Sequence, residues 1–143
     1  MTTPKADVLL VEDSAAEARL ACEALKETSF AVRLHVATDG VEAMEFLRRE
    51  GAHKEAPRPK LVLLDLNLPR KDGREVLRDI KADEDLRSIP VVVLTTSQAQ
   101  SDISRAYELY ANCYIQKPLE LDGFIEIVKS IHRYWLQTAE LPA

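Results

Sequence analysis

Two hydrophobic periods take turns along the chain. Residues 8–11, "VLLV", form an unbroken apolar run, the pattern of a strand buried on both faces. In the following "SAAE", Ser14 stands as an N-cap with Glu17 three residues on, a capping box. Ala18, Cys22 and Leu25 recur at helical spacing and predict a helix to about Thr28. "AVRLHVA" at 31–37 alternates, which places it nearer a sheet edge. Val41, Met44 and Leu47 make the next helical face, closed by Gly51, and the polar "AHKEAPRP" with its prolines is a loop. Residues 60–64 are a third strand. "REVLRDIKAD" supplies a helix with Val76, Leu77 and Ile80 inward. Pro90 starts a fourth strand, "VVVL"; Ile103, Ala106, Tyr107 and Tyr110 mark a fourth helix, and "CYI" is a short fifth strand. Phe124, Val128, Ile131 and Trp135 share one face of a last amphipathic helix.

Five strand–helix units in strict alternation predict an α/β fold, a parallel sheet with helices on both faces, because the crossovers are right-handed. In such sheets ligands bind outside the carboxyl ends of the strands. The residues expected there are polar: Glu12 and Asp13 after strand one, Asp65 after strand three, Thr95 and Thr96 after strand four, and Lys117 after strand five. Asp65 is the telling one. It ends a run of buried leucine and valine, where a carboxylate is costly unless it emerges from the sheet or meets a cation.

Three carboxylates at one mouth repel one another. At about 4 Å and an effective dielectric near 20, each like pair costs roughly 4 kcal/mol before relaxation. A divalent cation offsets this, and oxygen donors without His or Cys favour a hard ion, Mg²⁺ before Ca²⁺. Lys117 adds a positive charge and Thr95 a hydroxyl, so an anion is expected beside the metal, and phosphoryl suits both. A carboxylate so surrounded is arranged to accept a phosphoryl group as an acyl phosphate. Each residue alone has an ordinary explanation: Asp13 a helix cap, Asn67 a turn, Thr95 a strand end, Lys117 a solvated lysine. Their joint placement at four strand ends carries the inference.

Composition narrows the remaining classes. The 143 residues suit one domain, and a net charge of −5 with mixed signs argues against a nucleic-acid partner. Cys22 and Cys113 have neither CxxC nor metal spacing, and no signal peptide or long apolar stretch is present, so reduced thiols in the cytoplasm and no membrane span are expected.

The segments "VEDS", "LLDLNLPRKDG", "VVVLTTS" and "YIQKP" make the chain resemble the receiver domain of two-component response regulators over nearly its full length. The spacing agrees: Thr95 stands 30 residues after Asp65, and Lys117 stands 22 after Thr95. "RPKLVLLDLNLPRKDGREVL", "YELYANCYIQKP" and the tail "YWLQTAELP" are most similar to single-domain regulators paired with cyanobacterial and other bacterial phytochromes. The resemblance implies a three-layer, doubly wound (βα)5 flavodoxin-like fold with strand order 2-1-3-4-5. It implies a receiver over residues 5–138 and a short tail over 139–143.

Residue by residue, the resemblance makes Asp65 the acceptor of a phosphoryl group from a sensor histidine kinase of phytochrome type. Asp13, Asp65 and the backbone carbonyl of Asn67 would ligate Mg²⁺, with Glu12 holding a metal-bound water. Glu12 stands where Asp is also common. Lys117, Thr95 and Thr96 would bind the phosphoryl oxygens, and Tyr114 would follow Thr95 inward. Asn67 and Ser97 occupy positions that tune phosphate lifetime, and the Lys117–Pro118 bond is expected to be cis, the isomer proline tolerates. Phosphorylation adds about two negative charges at Asp65 and shifts the surface of the fourth helix, fifth strand and fifth helix.

Two other classes are disfavoured. A hydrolase of the haloacid dehalogenase type wants a second Asp two residues after its nucleophile, where this chain has Asn67; an enzyme acting on outside substrates is therefore not expected. A flavodoxin-like cofactor binder wants a phosphate-cradling loop after strand one, and "VEDSAAEA" is acidic. Eight residues follow Trp135, too few for an output domain, so the signal is expected to leave through a surface of the receiver to a protein target. Tyr107, Tyr110, Tyr134 and Trp135, with Leu136 and Leu141 beyond them, predict a homodimer through the same surface.

Overall fold

A computed structural model of the chain describes residues 6–27 and 32–142. The strands are β1 (Ala6–Val11), β2 (Val32–Ala37), β3 (Leu61–Leu64), β4 (Val91–Thr95) and β5 (Cys113–Gln116). The helices are α1 (Ala15–Lys26), α2 (Gly40–Arg48), α3 (Gly73–Ala82), α4 (Gln100–Glu108) and α5 (Leu121–Ile131). All neighbouring strands pair in parallel, in the order β2-β1-β3-β4-β5. This is the expected doubly wound fold. The expected helix end at Thr28, the first residue of the alternating segment, Ala31, and receiver residue 5 lie outside the described residues, as does tail residue 143.

The alternation of side chains explains the three layers. Leu9, Val11, Val62, Leu64, Val91 and Val93 point to one face and meet buried residues of α2, α3 and α4. Val8, Leu10, Leu61, Leu63, Val92 and Leu94 point to the other and meet α1 and α5. The central strands are therefore buried and apolar along most of their length, with Asp7 near the start of β1 and Thr95 at the end of β4 as exceptions, whereas edge strand β2 is mostly half-buried or exposed.

Several local expectations are corrected. Gly51 does not close α2; Arg49 does, in a left-handed conformation with φ 57°, and Gly51 begins a 3-10 turn over Gly51–His53 inside the expected loop. The fourth helix stops at Glu108, so Tyr110 lies beyond it, left-handed at φ 71° and exposed. Its backbone closes the helix: Ala111 N–H donates to the Ala106 carbonyl at 3.0 Å, the reach-back of a left-handed cap. The fifth helix widens after Ile131 into a π-helical segment over His132–Thr138. Trp135 still packs partly buried against the α1–α5 core, and Tyr134 is exposed. The Lys117–Pro118 bond, expected to be cis, is trans, as is every other peptide bond among the described residues. The isomers of an X–Pro bond differ by only about 0.5–1 kcal/mol, too little for the dipeptide to decide. Among the described residues no helix is long and apolar enough to cross a membrane.

Candidate functional site

The parallel ladder continues one rung past the strands and sets the site. Glu12 N–H donates to the Ala37 carbonyl at 2.9 Å, Asp65 N–H to Val11 at 3.1 Å and Lys117 N–H to Thr95 at 2.7 Å. Glu12, Asp65 and Lys117 thus leave the sheet at one edge with their backbones satisfied. Loop geometry fixes Asp65 further. A Cβ on Gly73, the first residue of α3, would lie 2.2 Å from the Asp65 carbonyl oxygen and 2.6 Å from Leu66 Cα. Only glycine lets α3 start this close to the strand end.

Asp65 and Thr95 are buried, and so are Glu12 and Lys117. Thr95 Oγ1 donates to Asp65 Oδ1 at 3.0 Å, and the Asn67 N–H donates to the same oxygen at 3.2 Å. Lys117 Nζ donates to Asp65 Oδ2 at 3.0 Å, to Glu17 Oε2 at 2.8 Å and to Glu12 Oε2. Ser14 N–H donates to Glu12 Oε1 at 3.1 Å. Burial pushes the Glu12 carboxyl up to about 7, against the pull of Lys117. Burial alone would lower the Lys117 ammonium, but the surrounding carboxylates outweigh it and hold it above the ordinary lysine range. The lysine stays charged.

Carboxylate oxygens of Glu12, Asp13 and Asp65 lie within 4.8 Å of one another, the geometry of a cation site. Asp13 is exposed and makes no ion pair among the described residues, so its oxygens are available to a cation. The donor set fits a hard divalent ion.

The other expected residues divide. Tyr114 is turned inward: its hydroxyl donates to the Ser97 carbonyl at 2.8 Å. Ser97 does not face Asp65 through its hydroxyl, which donates to Asp102 Oδ2 at 2.5 Å. Thr96 is exposed and makes no hydrogen bond to Asp65. Tyr107, Tyr110 and Tyr134 are exposed, with Trp135 half-buried beside Tyr134 in an edge-to-face contact.

Glu17 was missed as a site residue. Its N–H is capped by Ser14 Oγ at 3.2 Å, as the capping box requires, but its carboxylate turns to Lys117 and leaves the Ser14 N–H to Glu12. The same spacing served both readings, and only the fold distinguishes them.

The comparisons with known proteins agree with this geometry. Residues 8–129 match the response regulator receiver domain. Response regulator Rcp1 of Synechocystis sp. is 49% identical over 142 residues, 99% of this chain and 97% of that one. The crystal structure of the Mn(2+)-bound form of Rcp1 superposes with a TM-score of 0.93 at 49% identity, covering 96% of this chain and 99% of that one. The phosphorylated cyanobacterial phytochrome response regulator RcpA gives 0.95 at 49% identity, covering 98% and 100%. Buried Asp65 with its threonine and lysine partners at one sheet edge, on this fold and with these relatives, places the chain in the response regulator receiver family, whose function is to accept a phosphoryl group on an aspartate.

Proposed function

We propose that Asp65 is the phosphoacceptor, that Mg²⁺ is the ion, and that a sensor histidine kinase of phytochrome type is the donor. The observation that carries the assignment is the double hold on Asp65, Thr95 Oγ1 on one oxygen and Lys117 Nζ on the other, with Glu12 and Asp13 beside it. Similarity to Rcp1 and RcpA supports the kinase class, and the Mn(2+)-bound Rcp1 structure supports a divalent ion. The receiver unit is read over residues 5–138, the protein is placed in the cytoplasm, and it is not an enzyme for outside substrates.

In the transfer, an Asp65 carboxylate oxygen forms the new P–O bond while the P–N bond to the donor imidazole breaks. The electron pair leaves with the nitrogen. Asp13, Asp65 and the Asn67 carbonyl would hold Mg²⁺, with Glu12 steadying a metal-bound water. The ion supplies charge neutralisation for the entering phosphoryl oxygens. Lys117, charged and already on Asp65, pairs with one of those oxygens. Thr95 donates its hydroxyl to another, a bond that gains strength with charge. Tyr114 follows Thr95 inward, and the exposed α4–β5–α5 surface changes with them. Asn67 and Ser97 are the residues that would tune phosphate lifetime, and Thr96 would be a further contact of the phosphoryl group.

Asp13→Asn tests the metal reading. It is expected to weaken Mg²⁺ binding by more than about tenfold, since even indirect partners of a metal are worth that much. The fold should survive, because the exposed Asp13 supports no other group by an ion pair. Calorimetric titration that finds unchanged affinity would remove Asp13 from the site.

The same reading makes the protein a homodimer through α4, β5 and α5. Exposed Tyr107, Tyr110 and Tyr134 share this side with a groove lined by Cys113, Ile115, Ile127 and Trp135. A second copy, bringing its own aromatic side chains, fits such a groove. Light scattering is expected to give a dimer mass at micromolar concentration and a monomer mass once residues 136–143 are deleted. A monomer mass for the full chain, with or without phosphorylation, would reject it.

A further inference from the structure

Helix α4 has little to hold it. Ala106 is its one buried residue, and its N-cap, Ala99, offers no side-chain hydrogen bond. An element so poorly anchored by apolar contact takes its position from polar links. The links are unusually concentrated at its first turn. Arg74 Nη2, from the first turn of α3, donates to Asp102 Oδ1 at 2.7 Å, and Arg74 Nη1 donates to both oxygens of the α3 N-cap Asp72 at 3.2 Å. Asp102 Oδ2 accepts from Ser97 Oγ at 2.5 Å, and Ser97 Oγ accepts from the Ala99 N–H at 3.3 Å. The Ser97 carbonyl is the acceptor for Tyr114. At the far end of α4, Tyr107 Oη accepts the Tyr114 N–H at 3.1 Å.

We propose that Arg74 and Asp102 are positioning residues that clasp α4 to α3 and, through Ser97, hold the loop over residues 96–99 in the arrangement that turns Thr95 onto Asp65 and Tyr114 onto the loop. This rests on the reading of Asp65 as the phosphoacceptor. The clasp touches neither Asp65 nor any candidate metal ligand. It acts on the two groups, Thr95 and Tyr114, that flank the loop it fixes. The charges agree with the geometry: the Ser97 hydroxyl and then Arg74 lower the Asp102 carboxyl, and Asp102 raises the Arg74 guanidinium. A phosphoryl group at Asp65 binds best where the Thr95 hydroxyl is already directed inward. Opening the clasp therefore weakens the phosphoryl-bound state and leaves the metal site alone.

Beryllofluoride, a phosphoryl mimic, is the probe, titrated into the full chain with saturating Mg²⁺. R74A and D102A are each expected to weaken it about fivefold, the upper range for a partly exposed charge pair. The double variant is expected to lose no more than either single one, because one removal already opens the clasp. Mg²⁺ affinity without beryllofluoride should stay at the parental value. D102N keeps the shape and an acceptor for Ser97 and so guards against a folding defect; it should weaken beryllofluoride by a smaller factor. Parental affinity in the single variants, additive losses in the double variant, or a parallel fall in Mg²⁺ affinity would each overturn the clasp. Acetyl phosphate labelling of the parent separates the two readings. No label on Asp65 overturns the acceptor, whereas normal labelling with unchanged beryllofluoride binding overturns the clasp alone.

Discussion

Asp65→Asn is expected to abolish phosphorylation completely. Incubated with acetyl phosphate and Mg²⁺, the parent chain should gain the mass of one phosphoryl group, and the variant should keep its unmodified mass. The amide is nearly the same size and its oxygen can still accept from Thr95, so the fold has no reason to fail. What it lacks is a nucleophilic oxygen with a charge to share. Among the described residues no other carboxylate lies between Lys117 and Thr95 as Asp65 does, with one oxygen bonded to each at 3.0 Å. Glu12 is held by Lys117 and the Ser14 N–H, and Glu17 by Lys117. A phosphate gained by the Asp65→Asn protein would place the acceptor elsewhere and undo the assignment.

Gly73→Ala is the second large effect, and it reaches the site through the backbone. The new Cβ would lie 2.2 Å from the Asp65 carbonyl oxygen and 2.6 Å from Leu66 Cα, contacts no side-chain rotation can relieve. Moving the start of α3 disturbs Val76, Leu77 and Ile80, all fully buried. Overpacking of this kind costs about 3 kcal/mol. For a chain of this size that lowers Tm by about 10 °C in a thermal scan. Phosphorylation by acetyl phosphate should slow as well, since Asp65 shifts with its carbonyl. An unchanged Tm would mean that the loop between β3 and α3 yields far more easily than its contacts imply.

How much of this was legible in the sequence follows from the range over which each feature is decided. The central strands were legible because burial on both faces selects apolar runs, and "VLLV" and "LVLL" can hardly be anything else. Asp65 was legible because it ends such a run, where a charge needs a reason, and Lys117 because it follows the short fifth strand. Features decided by long-range polar contact were not. Glu17 at the third position after Ser14 is a capping residue by spacing and a lysine partner by fold. Arg74 and Asp102 each look like a solvated charge, and only the packing of α4 beside α3 brings them to 2.7 Å. The π-helical turn after Ile131 was also hidden. Trp135 fits the ordinary helical stripe from Phe124, and nothing in "HRYWLQT" announces a wider period. Tyr110 misled for the opposite reason: it kept the helical spacing after the helix had ended.

The bond between Lys117 and Glu12 joins residues 105 apart in the chain. Strand order explains that separation. Strand β1 lies between β2 and β3, and these three, all from the first half of the chain, bring Glu12, Asp13 and Asp65 together. Lys117 arrives only when β5 docks on the outer side of β4. Closing a long loop costs chain entropy, though the cost grows only slowly with its length. Until then the acids face one another without their ammonium, and Asp65 lacks one of the two groups that hold it. A chain without β5 in place would hold Asp65 but not its complete set of partners. The pocket around Asp65 is thus a product of both halves of the chain, with β5 supplying the cation that faces its acids.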